Sequence, residues 1–134
     1  MSSATPVPAF QPDRVWWERL FATIDAREAD GFVAALTENA EFRFGNAPAV
    51  RGREAIRATV AAFFAAIAAC QHRLLGAWDG TGTTVCEGEV TYTRHDGTTV
   101  TLPFVNVFEL SGDRIAAYRI YIDNTPLFGS PARE

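Results

Sequence analysis

The stretch "VTYTRHDGTTVTLPFVNVFELSGDRIAAYRIYID" (residues 90–123) decides the fold. It holds three runs in strand period, separated by two tight turns. Within "RHDG" (94–97) the Asp96-Gly97 pair is a strong hairpin signal, because glycine accepts the positive φ that short connections demand. "SGD" (111–113) makes the second reversal. Upstream, "QHRLLGAWD" (71–79) and "TTVCEGEVTYT" (83–93) flank a "GTG" turn, so the meander extends to four long strands. In the last run Tyr118, Ile120 and Ile122 point one way, and Arg119, Tyr121 and Asp123 point the other, since side chains alternate across a strand. An aspartate closing such a strand is either a terminator or a proton-transfer group at the floor of a pocket.

The N-terminal half has helical period instead. Asp13 is a candidate N-cap, and beyond it Trp17, Leu20, Phe21 and Ile24 repeat at i, i+3, i+4 and i+7. "DGFVAALT" (30–37) reads as a second, short helix with Phe32, Val33 and Leu36 on one side. "AEFRF" (40–44) alternates like a brief strand, and "GNAPAVRG" (45–52) is loop. A third helix follows Gly52, with Ile56, Val60, Phe63, Phe64 and Ile67 along one stripe. Pro126 is expected to end the regular structure. Helices first and a long meander after predict an α+β fold, a cone-like curved antiparallel sheet packed against three N-terminal helices. The hollow between the layers is where a small molecule would bind. Residues 1–12 are expected to be a flexible lead-in, 13–128 the domain and 129–134 a tail.

The whole chain sets limits on partners. Its 134 residues fit one domain, and 48% hydrophobic content supports a real core. A net charge of −4 argues against nucleic acid or an anionic membrane surface as partner. Two cysteines, Cys70 and Cys86, make no disulfide framework, which favours a reducing, cytoplasmic setting. The most apolar run, "ATVAAFFAAIAAC" (58–70), is too short to span a bilayer. There is no phosphate-binding glycine loop and no nucleophile elbow. The two histidines, one of them in the hairpin turn as His95, give no metal-ligand spacing, so neither metal nor cofactor is expected.

The order of elements in "ATIDAREADGFVAALTENAEF" (22–42), "VRGREAIRATVAAFF" (50–64) and "VFELSGDRIAAYRIYID" (107–123) resembles the nuclear transport factor two-like superfamily. This is also called the SnoaL-like or ketosteroid-isomerase-like fold, and it includes limonene-epoxide-hydrolase-like proteins. The resemblance covers roughly residues 13–128. It implies a pocketed cone but not one chemistry, because the fold hosts isomerases, hydrolases, cyclases and non-catalytic binders. Against the isomerases, the base position is Phe44, the oxyanion tyrosine position is Leu20 and the acid position is Asn106, so that route is lost. Against the epoxide hydrolases, "R-x-D" falls on Glu87-Gly88-Glu89 and the final aspartate on Asp123, while the water-holding pair falls on Phe42 and Phe44. SnoaL-type cyclases use one aspartate in an apolar pocket, and Asp123 resembles it in context.

The resemblance thus implies Asp123 as acid/base with Glu89 as second carboxylate. If Asp123 faces the hollow, Tyr121, Arg119, Ala117 and Ile115 share its face. Leu102, Phe104, Asn106, Phe108 and Leu110 line the strand before it, and Val85, Glu87, Glu89, Thr91 and Thr93 the next. Asn106, Tyr121, Arg119 and His72 are then candidate polar contacts to substrate, and Trp17, Phe42, Phe44 and Phe104 candidate walls. Burial would raise the Asp123 pKa and Arg119 would lower it. Structural alternatives stand beside each. Asp123 could cap the "NTP" turn, Glu89 could pair with Arg119, Asn106 could be satisfied internally, and His72 could be a core histidine. Tyr92, Val90, Val105, Val107, Ile120, Ile122 and Tyr118 are assigned to the opposite sheet face, which would be covered by a second copy in a homodimer. Two functions are therefore expected: cofactor-free acid/base catalysis on a small hydrophobic molecule, or non-catalytic binding of one.

Overall fold

A computed structural model of the chain describes residues 10–128. Most of the expected lead-in (residues 1–9) and the whole expected tail (129–134) lie outside the described residues. Helix α1 (Arg14–Asp25) starts where Asp13 accepts a hydrogen bond from the Trp16 N–H at 2.9 Å. Its stripe of Trp17, Leu20, Phe21 and Ile24 is buried. Helix α2 (Ala29–Ala34) buries Phe32, and α3 (Arg53–Ala66) buries Ile56, Val60 and Phe64. The C-terminal end of α3 is held by two side chains from elsewhere. Arg27 donates to the Ile67 carbonyl at 3.0 Å, and His95 Nε2 lies 2.8 Å from the Ala65 carbonyl. Both serve carbonyls that a helix end leaves without partners.

Six strands make one sheet in the order β2-β1-β6-β5-β4-β3. They are β1 (Leu36–Phe44), β2 (Val50–Arg51), β3 (Ala69–Gly80), β4 (Thr83–Thr93), β5 (Thr99–Ser111) and β6 (Arg114–Ile122). The four long C-terminal strands form the expected antiparallel meander, and β1 joins its edge in parallel with β6. Two short elements go beyond the sequence reading. β2 forms inside the expected loop, and a one-turn helix α4 (Thr125–Phe128) forms around Pro126. Proline fits there because the first turn of a helix needs no N–H from it.

Register settles which residues face the helices. Phe104, Asn106 and Phe108 stand opposite Ile122, Ile120 and Tyr118, and Cys86, Val90 and Tyr92 continue the same face across β4. This face carries the core, with Phe108 and Tyr118 at most 1% exposed. The other face carries Glu87, Val105 and Tyr121 in one row and Trp78, Val85, Val107 and Arg119 in the next. The sequence assignment of Tyr92, Val90, Ile120, Ile122 and Tyr118 to the outer face is therefore corrected: all five turn inward. Only Val105 and Val107 of that group face out. A bulge between Ile115 and Ala117 accounts for part of the difference. Ile115 pairs with Leu110 on the inner face, and the slipped register leaves Ala117 opposite Glu109. A single inserted residue reverses alternation.

Candidate functional site

Between the helices and the inner sheet face lies a cavity. It has about 610 Å³ of empty space, counted out through its mouth. From the helices come Ile24, Phe32, Thr59, Val60, Phe63 and Phe64. β1 adds Phe42 and Phe44, and β6 adds Tyr118, Ile120 and Ile122. The far wall is Cys70 and His72 from β3, Val90 and Tyr92 from β4, and Phe104 and Asn106 from β5. No Asp, Glu, Lys or Arg lines it among the described residues.

The cavity's one imidazole is tightly placed. His72 Nδ1 lies 2.6 Å from Asp25 Oδ1, and the His72 backbone N–H donates to Asp25 Oδ2 at 3.0 Å. A carboxylate only accepts, so Nδ1 carries a proton, and in the neutral form of the ring Nε2 is the acceptor. The ring stacks on Phe21 (centroids 4.8 Å apart, planes 20° apart) and meets the edge of Phe104 at 5.5 Å. The His72 side chain is 11% exposed and Asp25 25%. Asp25 was not singled out from the sequence. Its signal was an acid in the last turn of a helix, where the macrodipole disfavours negative charge and a compensating partner is needed.

Asn106 is 2% exposed, and its Oδ1 is enclosed without a hydrogen-bond partner. Burial pushes the Tyr92 and Tyr118 hydroxyls well above the ordinary tyrosine range, so both remain neutral donors. Cys70 Sγ sits with Asp25 and His72 in a group whose ligand atoms lie within 4.8 Å of one another. Its thiol is pushed up to about 12, first by burial and then by the Asp25 charge, so the group is a thiol at neutral pH in the protein alone. The 2.6 Å His72–Asp25 separation is a hydrogen-bond distance. Two atoms ligating one zinc ion at ~2.1 Å in tetrahedral geometry would stand roughly 3.4 Å apart. As it stands, the cluster is hydrogen-bonded, Asp25 to the ring and backbone of His72.

Other expected site residues are elsewhere. His72, Asn106, Phe42, Phe44 and Phe104 line the cavity, whereas Trp17 is core, stacked on Phe21 and Phe108. The expectation that Asp123 faces the hollow is corrected. Ile122 takes the inward position, and Asp123 stands at the sheet's outer rim, where it accepts from the Thr125 N–H at 3.1 Å and caps α4. Those hydrogen bonds to Thr125 hold its carboxyl below the usual range, opposite to the shift a buried acid would show. Tyr121 shares the outer face and is 57% exposed. Arg119 pairs with Glu109 at 2.9 Å, and Glu89 lies 3.6 Å from Arg73 rather than beside Arg119. The resemblance supplied the wrong face for these four because it fixes a strand but not its side-chain phase.

A curved sheet covered by three helices, with an apolar cavity walled mainly by the third, matches a known family. The SnoaL-like domain aligns with residues 17–118. The chain belongs to the SnoaL-like domain family. Solved structures agree on the fold. A candidate SnoaL-like polyketide cyclase from Jannaschia sp. CCS1 superposes with a TM-score of 0.75 at 18% identity, covering 87% of this chain and 92% of that one. TerC, co-crystallised with polyporic acid, gives 0.73 at 16% identity, covering 85% and 93%. A ketosteroid-isomerase-like protein from Catenulispora acidiphila DSM 44928, in complex with trimethylamine, gives 0.74 at 13% identity, covering 82% and 86%. No curated protein matches the sequence significantly. Among the described residues no helix is long and apolar enough to cross a membrane.

Proposed function

We propose that this SnoaL-like domain binds a small hydrophobic molecule in the cavity and moves a proton on it, with His72 as general base and Asp25 as its positioning partner. The observation that carries this reading is the imidazole whose Nδ1 is tied to Asp25 while its ring lines an apolar cavity. Nε2 would take a proton from a carbon or oxygen next to a carbonyl. The neutral hydroxyls of Tyr92 and Tyr118 and the amide of Asn106 are in position to stabilise oxygen charge that develops. The reaction class is proton transfer of the isomerase, cyclase or dehydratase kind, with no cofactor invoked. The structural relatives that hold polyporic acid and trimethylamine support a small-ligand role for this cavity by analogy.

The test is solvent deuterium incorporation into cyclic ketones and enones that also carry a hydroxyl, followed by mass spectrometry. Replacing His72 by Gln should slow incorporation by roughly 10²- to 10⁴-fold, the usual contribution of a general base. Equal rates in both proteins would end the catalytic reading and leave the domain a binder.

The homodimer also belongs here as a proposal. Trp78 and Tyr121, each 57% exposed, flank Val85, Val105 and Val107 on the outer face. Such a patch is self-complementary under a twofold axis and suits a second copy. The two free thiols suit a reducing, cytoplasmic setting.

A further inference from the structure

We infer that the cavity's ligand is a planar, uncharged ring compound that carries a hydroxyl or N–H donor. This deepens the reading of the His72 site and rests on it for the location of the ligand, not for catalysis.

Three observations converge. The first is charge. Among the described residues no lining side chain is Asp, Glu, Lys or Arg; of the charged groups behind the walls, Asp25 already takes two bonds from His72, and Arg27 is committed to the Phe64 and Ile67 carbonyls. A carboxylate or phosphate entering here would lose its hydration with no counter-ion to receive it. An ammonium would find aromatic rings, but several of these are committed to one another. Phe63 meets Phe44 and Tyr92 edge-on at 5.0 and 5.5 Å, and Phe42 meets Phe32 edge-on at 5.6 Å.

The second is shape. The cavity is walled largely by flat rings, among them Phe42, Phe44, Phe63, Tyr92 and Phe104, and a planar ring packs on such faces better than a branched or bulky body.

The third is the polarity of the unpaired groups. His72 must present N–H to Asp25, so in the neutral ring Nε2 is an acceptor, and it makes no hydrogen bond within the protein among the described residues. Asn106 Oδ1 is a second acceptor, enclosed with no donor. A buried acceptor without a donor is a group that binding can satisfy. A ligand hydroxyl or N–H can satisfy one of these acceptors, while the Tyr92 and Tyr118 hydroxyls can donate to a carbonyl oxygen of the same molecule.

The test is a matched set at pH 7: phenol, anisole, benzoate and trimethylammonium, titrated by calorimetry. The ¹⁵N resonances of the His72 ring are followed in the same samples. Phenol should bind roughly tenfold more tightly than anisole, the factor expected for one hydrogen bond made or left unmade in a buried site. It should also shift the Nε2 resonance. Benzoate and trimethylammonium should bind at least roughly tenfold more weakly than phenol. Replacing Asn106 by Leu should narrow the phenol-to-anisole gap while the protein stays folded by circular dichroism. Equal binding of phenol and anisole, tighter binding of either ion, or no binding by any of the four would overturn the inference. Its outcome is separable from the catalytic reading. Phenol selectivity with no deuterium incorporation into ketones leaves the ligand class standing and removes the base. Incorporation together with benzoate preference does the reverse.

Discussion

Replacing Asp25 by Asn tests the site at the point where stability and chemistry separate. In the native protein Asp25 accepts from the His72 N–H at 3.0 Å and from Nδ1 at 2.6 Å. An asparagine can keep its oxygen on the backbone N–H and turn its NH₂ toward the ring. It would then donate where the carboxylate accepted. Nδ1 must lose its proton to receive that bond, so the tautomer reverses and Nε2 becomes the N–H. Two hydrogen bonds survive, but neither now involves a charge, and the carboxylate site was 25% exposed. The stability cost should be about 1 kcal/mol, the difference between charged and neutral hydrogen bonds at a partly wet position. For a domain of this size that lowers Tm by roughly 3–5 °C. Long-range ¹H–¹⁵N correlation spectra of the imidazole report the tautomer directly. Deuterium incorporation should fall by roughly 10²-fold or more, because the lone pair no longer faces the cavity. Asp25→Ala, by contrast, leaves both His72 donors unpaired and should cost about 2–4 kcal/mol. If the asparagine variant keeps Nδ1 protonated, or exchanges protons at the native rate, the positioning role of Asp25 is refuted.

Asp123→Asn should leave ligand binding and turnover within roughly twofold of native, since it faces away from the cavity. Its native carboxyl is held low by Thr125, so its contribution is present above the ordinary carboxylate pKa of 3.8 and is lost as pH falls through the lowered value. The stability gap between the two proteins should therefore stay constant above about pH 4 and close as the pH falls below it. Gly88→Ala should cost roughly 1–3 kcal/mol by overpacking. Its methyl carbon would press on the Arg73 carbonyl oxygen and lie 2.8 Å from the Phe104 ring, and urea unfolding measures the loss. The outer-face dimer predicts that Val107→Arg converts a dimer to a monomer in sedimentation velocity with no change in far-UV circular dichroism. A native chain that already sediments as a monomer would remove that proposal.

Much of this was legible before the structure. The Asp13 cap, the stripe from Trp17 to Ile24, the start of α3 after Gly52 and the Asp96-Gly97 hairpin are local signals, read within a few residues of where they act. The inner face of β5 was read correctly because Phe104 and Phe108 flank Asn106 in strict alternation. The phase of β6 was not, because both of its faces carry large side chains, and only pairing with β5 decides between them. Asp25 was missed for a different reason. It lies 47 residues from His72, and no spacing rule links the end of the first helix to the start of the third strand. β2 and α4 are too short for periodicity to declare them.

The Asp25 carboxylate joins the last residue of the first helix to the third strand through the very ring proposed to do the chemistry. Substitutions there are judged twice over the protein's history, once for whether the helix stays docked and once for whether the imidazole presents the right nitrogen. The acids of the outer rim face no such double scrutiny. A change at that rim acts on the choice of neighbours alone, whereas a change to either member of the interior pair acts on helix docking and on the imidazole together.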